Sequence, residues 1–572
     1  MVKKMYYNKL VEVYEELEKT SSKLEKTHII ARLLKETPVN DLERIVLLLM
    51  GRVFPRFSGY ELGVATQMVI KAISKFTGYS TDEIQSMFRE LGDLGLVAEE
   101  CVKRRKQSIL FAEKLTVEKV FESLQKLPFL SGAGSQDRKL RLIGDLLSSA
   151  EPKEARYVIK TVLEELRVGV AEGLIRDAIV EAFLLKEGAS TEEKRRLADI
   201  VDYVWSILSD FGEVAKIAKS EGVEGLKKVK LKPGRPYQVM LGLAAKSIDE
   251  VVSEFGTIAA EWKYDGMRTI IEKKGDKIWL FTRRLEDVTK QFPDLVALAR
   301  EGLPVEECIV EGETLGIDTK TGYPLPFQVL SQRIHRKYDI EEMTRKIPIQ
   351  VNLFDIVYLN GEMLLDKPFI ERRKILESTV KVIPDKFQLS KQIVTNDLKK
   401  LEEFYQEALN AKQEGLMLKV LDALYTFGRH VGVMYKIKPI METLDLVIVA
   451  AEWGTGARAK WLSSYVVACR DPTTGKFLPV GMMGTGLSEE QFQDMTEKLK
   501  PLIISQKGTR VEVKPKIVVE VGYQEIQKSP NYESGMALRF PRLIRIREDK
   551  SPDEADTIQR VEELYKSQGR AG

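Results

Sequence analysis

Cysteine and histidine are scarce in this chain of 572 residues. The cysteines are Cys101, Cys308 and Cys469, and the histidines are His28, His335 and His430. Three cysteines cannot build a disulfide framework, and they exclude a four-cysteine zinc site. A reaction that depends on histidine bases or on a histidine-ligated metal is not expected from so few histidines. The scarcity of cysteine indicates a reducing compartment, and we expect a cytoplasmic protein.

Long apolar runs and an excess of one sign of charge are also missing. No run reaches the ~20 apolar residues that a membrane-spanning helix needs, and the first residues, MVKKMYYNKLVEVYEELEK, lack the pattern of a secretory signal. We therefore expect no membrane partner. The net charge is +3, from 89 Lys and Arg against 86 Asp and Glu. This balance does not indicate a nucleic-acid-binding protein, but a local basic surface is compatible with it because phosphate contacts depend on where the lysines and arginines lie.

The length predicts about three domains. Residues 1–232 carry apolar residues at helical spacing, for example in 8–24, and predict an all-α region. Residues 233–438 alternate β-rich runs such as 269–272 with helical segments, and predict an α+β region around a sheet. In residues 439–572, short strands between glycine-rich turns predict a small β-barrel with a C-terminal helix. One of its predicted strands covers 517–526.

The run 261–268, EWKYDGMR, is the most informative stretch of the chain. It predicts a strand that ends in a tight turn, with Lys263 followed closely by Asp265 and Gly266. A lysine amine becomes a nucleophile toward phosphorus only when its charge is suppressed. Glycine allows a ligand to approach the backbone, and the guanidinium of Arg268 suits phosphate geometry. An ordinary strand-end lysine paired with Asp265 is the alternative that this run leaves open.

Six further motifs follow in order along the chain. They are Thr282-Arg283-Arg284, Glu311-Gly312-Glu313, Phe354-Asp355-Ile356-Val357-Tyr358, Glu414-Gly415-Leu416-Met417-Leu418-Lys419, Tyr435-Lys436-Ile437-Lys438, and Leu538-Arg539-Phe540-Pro541-Arg542 continuing to Arg547-Glu548-Asp549-Lys550. With the run around Lys263 they resemble the motifs of the covalent nucleotidyltransferases, the superfamily of ATP-dependent DNA ligases, RNA ligases and mRNA capping enzymes. Each motif alone has a structural explanation, but seven in order make coincidence a poor one. Arg284 departs from the family pattern, which usually has asparagine there.

The resemblance implies a role for each of these residues. Lys263 would attack the α-phosphate of ATP to form a lysyl-AMP adduct, and Asp265 would assist the later steps. Phe354 would stack on adenine. Lys436 and Lys438 alternate along a strand, so both ammonium groups would reach phosphate oxygens on one face. The implied nucleotide-binding residues are Glu261, Arg268, Arg283, Glu313, Phe354, Lys436, Lys438 and Arg542. The implied ligands of Mg²⁺, with Mn²⁺ as an alternative, are Glu313 and Glu414. The residues implied to orient pyrophosphate are Arg539, Arg542, Arg547, Asp549 and Lys550.

The helical region distinguishes between members of the superfamily. Residues 166–178, LRVGVAEGLIRDA, and 132–139, GAGSQDRK, are similar to the helical DNA-binding domain of archaeal and eukaryotic replicative ligases. Glycines and small polar residues at helix starts suit backbone N–H contacts to phosphate, although turn chemistry alone also explains them. The implied DNA-binding residues are Gly132, Gly134, Ser135, Arg138, Lys139, Gly169 and Gly173. NAD-dependent ligases are disfavoured because that family carries a four-cysteine zinc module.

The sequence therefore predicts an ATP-dependent DNA ligase that seals 5′-phosphate/3′-hydroxyl nicks in duplex DNA during replication, repair and recombination. The implied architecture is a DNA-binding domain at 1–232, an adenylation domain at 233–438 and an OB-fold domain at 439–572, in a monomer held at the nucleoid through DNA. An RNA ligase and a non-catalytic, clamp-tethered DNA-binding protein are the alternatives. Gln107, Leu110 and Phe111 resemble a shortened sliding-clamp-binding box, with burial of the apolar residues in a core as an equal alternative.

Overall fold

The chain folds into two compact units in a computed structural model. The first comprises Met1–Glu402 with Met417–Lys436, and the second comprises Glu403–Leu416 with Ile437–Gly572. The structure describes residues 5–104, 113–132, 134–334, 336, 338–429, 432–439, 442–454, 460–484 and 487–566. Within these ranges, no helix has the length and apolar character needed to cross a membrane.

The first unit begins with an all-helical region. Its described α-helices are α1 (Tyr7–Lys19), α2 (Lys23–Glu36), α3 (Leu42–Leu49), α4 (Thr66–Thr77), α5 (Thr81–Leu91), α6 (Leu94–Lys103), α7 (Val117–Lys126), α8 (Ser135–Ser149), α9 (Pro152–Val162), α10 (Glu172–Ile179), α11 (Thr191–Leu208) and α12 (Phe211–Lys227). The single helix predicted over 8–24 is wrong. Helix α1 ends at Lys19, and the Ser22 hydroxyl accepts the N–H of Glu25, which caps a new helix.

The middle of the chain forms two larger sheets. Its elements are β1 (Met240–Leu241), β2 (Leu243–Ala244), α13 (Ile248–Phe255), β3 (Ile258–Lys263), β4 (Met267–Lys274), β5 (Lys277–Thr282), α14 (Pro293–Gly302), β6 (Glu307–Gly316), α15 (Phe327–Ile334), α16 (Ile340–Lys346), β7 (Ile349–Leu359), β8 (Glu362–Met363), α17 (Phe369–Thr379), β9 (Phe387–Leu389), β10 (Gln392–Thr395), α18 (Leu398–Asn410), β11 (Gly415–Val420), β12 (Gly428–Arg429) and β13 (Met434–Ile437). One sheet has the order β10-β3-β11-β13-β2. The other has the order β5-β4-β6-β7-β8, with β9 paired to β7, and a small β1-β12 pair stands apart.

Strand β4 shows why this second sheet is buried on both faces. Successive side chains of a strand point to opposite faces. Ile270 accordingly packs into the core that includes the helical region, and Ile271 packs into a separate core with Leu295 and Val310. The helical region and the sheet therefore share one apolar core within the first unit.

The second unit is rich in β-structure. Its elements after β13 are β14 (Leu444–Trp453), β15 (Leu462–Arg470), β16 (Phe477–Met483), α19 (Glu489–Leu499), β17 (Ile503–Lys507), β18 (Arg510–Val513), β19 (Val518–Gly522), β20 (Glu525–Lys528), β21 (Met536–Arg539), β22 (Arg542–Ile546) and α20 (Ile558–Tyr565). Strand β14 pairs with β15, β18 and β19 along its length. The single strand predicted over 517–526 is wrong, because the N–H of Gln524 bonds to the carbonyl of Arg539 and starts a separate β20–β21 pair.

This architecture confirms the predicted fold class: a helical N-terminal region, a central α+β region and a β-rich C-terminal region.

Candidate active site

Lys263 is the last residue of β3, and the chain then turns directly into β4 of the other sheet. The predicted strand and tight turn are therefore confirmed. The turn requires glycine at position 266, since a Cβ there would lie 2.3 Å from the carbonyl oxygen of Thr314. Lys263 and Asp265 are both half-buried. Close packing of the turn thus fixes the backbone that carries these two predicted catalytic residues.

Two predicted nucleotide-binding residues, Arg268 and Glu313, lie on one face of the second sheet. Arg268 on β4 is the register partner of Glu313 on β6, which is also the partner of Asn352 on β7. Cross-strand partners of this kind project to the same face. Asn352 was not predicted. It is fully buried, its Oδ1 accepts a 3.0 Å hydrogen bond from Gln388, and its Nδ2 has no partner among the described residues.

Phe354 occupies a β-bulge on β7. Glu311 pairs with Asp355 and Gly312 pairs with Leu353, so Phe354 is the extra residue between them. A bulge of this kind redirects a side chain and commonly occurs beside active sites. The guanidinium carbon of Arg268 lies 5.0 Å from the centroid of the Phe354 ring. The structure therefore brings together the residues predicted to stack on adenine and to hold ribose or phosphate.

Arg268 is held by a fully buried carboxylate, Glu311. Glu311 accepts a short hydrogen bond from Arg268 and two of 2.5 Å from the hydroxyls of Tyr237 and Tyr425. Burial, followed by the charge of Glu311, raises the pKa of both tyrosines well above the usual value, so their hydroxyls remain donors. Neither tyrosine was predicted, because each lies outside the seven motifs.

Glu261 lies in a second buried charge cluster, on β3. Its Oε2 is 2.7 Å from Nζ of Lys419, and its Oε1 is 3.3 Å from Nη1 of Arg373. Gln392, its register partner on β10, donates to Oε1 at 2.8 Å. Nζ of Lys419 also lies 4.8 Å from the ring centroid of Phe354. Arg373 and Gln392 were not predicted, because Arg373 lies in a charged helix and Gln392 is a neutral residue outside the motifs.

The remaining predicted residues of the central region lie near strand ends. Arg283 and Arg284 directly follow β5 and are exposed. Lys436 lies on β13 and belongs to the first unit. Lys438 belongs to the second unit, where its Nζ forms a 2.5 Å ion pair with Oε2 of Glu414. Glu414 thus has a cation beside it where a metal ligand was predicted.

The donor chemistry of Glu313 and Glu414 suits a hard cation such as Mg²⁺. Among the described residues, no group of three or more His, Cys, Asp and Glu side chains could hold a metal ion. Mg²⁺ commonly takes one or two protein carboxylates and completes its shell with phosphate oxygens and water. Each carboxylate is a donor of that kind, and both remain predicted ligands of the ion.

Motif residues in the second unit are organised around acidic partners. Asp445 on β14 accepts hydrogen bonds from Arg547 at 2.8 Å and from Lys550 at 2.6 Å. Asp549 bonds to Arg547 at 2.7 Å. Asp445 was not predicted. Arg539 forms a 2.9 Å ion pair with Glu525. Arg542 is exposed on β22.

The predicted DNA-binding residues lie in two loops of the helical region and at the starts of the helices that follow them, α8 and α10. Gly132, Gly134 and Gly169 have left-handed backbones with φ of 78°, 72° and 73°. Ser135 begins α8, and Gly173 lies in the first turn of α10. Arg138 donates to the carbonyl of Ser131 at 2.7 Å, and Lys139 donates to those of Leu62 and Gly63 at 3.1 Å. The clamp-box residues Gln107, Leu110 and Phe111 lie outside the described residues.

Segment 56–63 connects the two loops and was not predicted. Its Arg56 forms a 3.4 Å ion pair with Glu172 at the start of α10. At its other end, the carbonyls of Leu62 and Gly63 hold Lys139 of α8. The sequence offered no signal for this bridge beyond its turn residues.

Three family models match successive parts of the chain. They are described as "DNA ligase N terminus" over residues 5–180, "ATP dependent DNA ligase domain" over 239–438 and "ATP dependent DNA ligase C terminal region" over 458–550. These regions correspond to the helical, α+β and β-rich parts of the structure.

Curated relatives match the chain from end to end. A DNA ligase of Nanoarchaeum equitans is 49% identical over 99% of both chains, and one of Thermococcus onnurineus is 46% identical over 99% of both chains. A DNA ligase of Archaeoglobus fulgidus is 45% identical over 99% of both chains. A solved structure described as "Pmar-Lig_Pre." shares the fold, with a TM-score of 0.57, 17% identity and coverage of 94% of this chain and 99% of that one. The chain therefore belongs to the ATP-dependent DNA ligases.

Proposed function

We propose that this ligase seals 5′-phosphate/3′-hydroxyl nicks in duplex DNA with Lys263 as its nucleophile. The observation that supports this assignment is the position of Lys263 at the end of β3, where the turn closed by Gly266 leads into the sheet face of Arg268 and Glu313. Phosphoryl transfer depends on positioning and charge neutralisation, and this face offers both cationic and carboxylate groups.

In the first step, neutral Nζ of Lys263 attacks the α-phosphorus of ATP. A phosphorus–nitrogen bond forms, and the bond to the leaving pyrophosphate breaks. Phe354 stacks on adenine, and Arg268 holds ribose or phosphate in the geometry that Glu311 sets. Arg542, Arg547 and Lys550 orient the pyrophosphate. Preorganised donors of this kind are worth about 10²–10³ in rate each.

In the later steps AMP passes from Lys263 to the 5′-phosphate of the nick. The 3′-hydroxyl then attacks that phosphate, forms the phosphodiester bond and releases AMP, with Asp265 assisting. Glu313 and Glu414 would hold Mg²⁺, which neutralises phosphate charge when bound. Gly132, Gly134, Ser135 and the other predicted residues of the two helical loops contact DNA phosphates without reading sequence.

The proposal also includes the organisation of the chain. We propose that the chain has three domains, with boundaries at 232 and 438. We also propose that it acts on a nick as a monomer. The box at 106–111 is proposed to bind a sliding clamp.

Incubation with α-labelled ATP and Mg²⁺ tests the nucleophile. Wild type should form a covalent AMP adduct that peptide mapping finds on Lys263, and Lys263→Ala should form none. Lys274→Ala is the matched control, because Lys274 is an exposed lysine on β4 paired with Glu307. An adduct that persists in Lys263→Ala overturns the assignment, and a nick in RNA sealed in place of one in DNA overturns the substrate.

A further inference from the structure

We propose that Arg372 is a positioning residue for the nucleotide, because through Asp355 it holds the β-bulge that directs the ring of Phe354. The inference rests on the proposed function, in which that ring stacks on adenine. Arg372 lies on α17, outside all seven motifs, and Asp355 follows Phe354 in its motif without a role assigned to it from the sequence. Removal of Arg372 should therefore weaken the use of ATP as well as the stability of the fold.

Asp355 is a buried carboxylate that lies beside a second one. It is 2% exposed, and its register partner on β6 is Glu311, which is fully buried. Cross-strand partners project to the same face of a sheet. Two neighbouring carboxylates away from water favour sharing a proton unless each has its own cation. Glu311 is paired with Arg268, so a separate cation is needed to keep Asp355 ionised.

Arg372 supplies that cation. Its Nε donates to Oδ1 of Asp355 at 2.8 Å, and its Nη2 donates to Oδ2 at 3.0 Å. Two parallel bonds of this kind fix the orientation of both groups as well as their separation. The remaining nitrogen, Nη1, donates to the carbonyls of Lys367 at 2.7 Å and Ala423 at 3.2 Å. The fully buried guanidinium therefore holds Asp355 against two other segments of the chain.

This pair lies directly beside the bulge on β7. Phe354 is the extra residue of the bulge, and Asp355 is the first residue after it to pair again with β6. The carboxylate of Asp355 also accepts the N–H of Ile356 at 2.9 Å, which ties the side chain to the backbone of β7. A bulge redirects a side chain, and the bonds from Arg372 fix the residue that closes this one.

The ring of Phe354 itself lies near two cations. The guanidinium carbon of Arg268 is 5.0 Å from its centroid, and Nζ of Lys419 is 4.8 Å from it. A cation attracts the face of a ring, but it does not fix the ring in the way that a hydrogen bond fixes a polar group. A shift of the backbone at Asp355 would therefore move the ring relative to a bound base.

A second buried arginine offers a matched control. Arg333 on α15 is 1% exposed, and it donates to the two oxygens of Asp294 at 2.6 and 3.0 Å. Asp294 lies on α14 and not on β7. Loss of Arg333 should therefore destabilise the fold, as loss of Arg372 does, without changing the bulge that carries Phe354.

The test measures single-turnover formation of the covalent AMP adduct over a range of ATP concentrations. Arg372→Met should raise the half-saturating ATP concentration about tenfold, the effect expected when a base loses its aromatic stack. Arg372→Lys, which keeps the cation but not the paired bonds, should raise it less. Arg333→Met should lower the unfolding temperature and leave the half-saturating concentration unchanged. Equal rises in Arg372→Met and Arg333→Met overturn the inference.

A double-mutant cycle separates an effect through Phe354 from a general loss of structure. Phe354→Ala removes the ring, so Arg372→Met should cause no further rise in the half-saturating ATP concentration in that background. Asp355→Asn should show the same non-additivity, and it provides the test if Arg372→Met does not fold. Additive effects overturn the inference, because Arg372 then acts on something other than the ring.

Failure of the proposed function gives different results. Absence of any adduct on Lys263 in wild type shows that the nucleophile is wrong. An unchanged half-saturating ATP concentration in Phe354→Ala shows that the stacking role is wrong, and the inference about Arg372 then falls with it.

Discussion

The hydroxyl of Tyr237 donates a 2.5 Å hydrogen bond to Oε1 of Glu311, a carboxylate with no exposure to solvent. Tyr237 lies in the segment that follows the helical region, and Glu311 lies on β6. Glu311 in turn holds Arg268. This contact therefore links the end of the helical region to a predicted nucleotide-binding arginine.

Loss of either tyrosine hydroxyl should destabilise the first unit. In Tyr237→Phe or Tyr425→Phe, Glu311 loses one of its buried donors, which costs about 1–3 kcal/mol in the free energy of unfolding. Urea unfolding measures this loss. Tyr358→Phe is the control, because its hydroxyl donates at 2.8 Å to the partly exposed Glu307 and should cost less. Equal losses in all three variants would contradict the special role of Glu311.

A side chain at position 266 should disable adduct formation. In Gly266→Ala the new Cβ would lie 2.3 Å from the carbonyl oxygen of Thr314, so the turn that carries Asp265 must shift. Displacement of about 1 Å in a reacting group costs on the order of 10²-fold in rate. Rapid-quench measurement of AMP transfer to Lys263 checks this. A folded Gly266→Ala protein that reacts at the wild-type rate would refute it.

Glu272 should make stability depend on pH. Burial raises the pKa of its carboxyl to about 8, although the N–H groups of Gly234 and Arg235 oppose this by donating at 2.6 and 3.1 Å. The folded chain thus keeps a proton that the unfolded chain loses near the ordinary value of 4.5. The stabilisation that Glu272 adds to the folded chain is complete below pH 4.5. It is lost as the pH rises from there to about 8, and the free energy of unfolding then stops changing with this group.

The slope of unfolding free energy against pH measures this contribution. It should reach at most about 1.4 kcal/mol per pH unit from this one group. Glu272→Gln, compared with wild type by urea unfolding between pH 5 and 9, should remove it. Parallel curves for the two proteins would show that Glu272 titrates normally.

Arg138 should contribute to DNA affinity without contributing to adenylation. It is exposed beside the loop at 132–135. Arg138→Gln should weaken binding of nicked duplex and reduce the slope of log K against log salt by about 1, because one phosphate contact is lost. Arg196→Gln, an exposed arginine paired with Glu193 on α11, should leave the slope unchanged. Equal slopes for wild type and Arg138→Gln would exclude a phosphate contact.

Asp445 should support the pyrophosphate-orienting residues. It accepts hydrogen bonds from both Arg547 and Lys550, so Asp445→Asn removes the charge that holds them. We expect adduct formation to slow roughly 10- to 100-fold. Asp471→Asn, in an exposed turn where Asp471 bonds to Thr473 and Thr474, should have no effect. Equal rates of adduct formation in Asp445→Asn and Asp471→Asn would contradict this role of Asp445.

Much of the fold follows from local patterns. The β-rich run at 269–272 lies inside β4 (Met267–Lys274), because β-branched residues in a short run favour an extended strand. The errors occur where a distant or small contact breaks the pattern. Ser22 restarts a helix inside 8–24, and pairing with Arg539 separates β19 from β20.

The sequence by itself determined the family, the order of the motifs and the strand–turn that carries Lys263, because these depend on residue types at short spacing. The roles assigned to the motif residues remain predictions. Only the tertiary structure decided which distant groups bond to the charged side chains. Arg373 meets Glu261 across 112 residues, Tyr425 meets Glu311 across 114, and Arg547 meets Asp445 across 102. Loss of solvent makes a partner favourable for each of these side chains, but the packing of distant strands and helices selects the partner, and no local pattern encodes that choice.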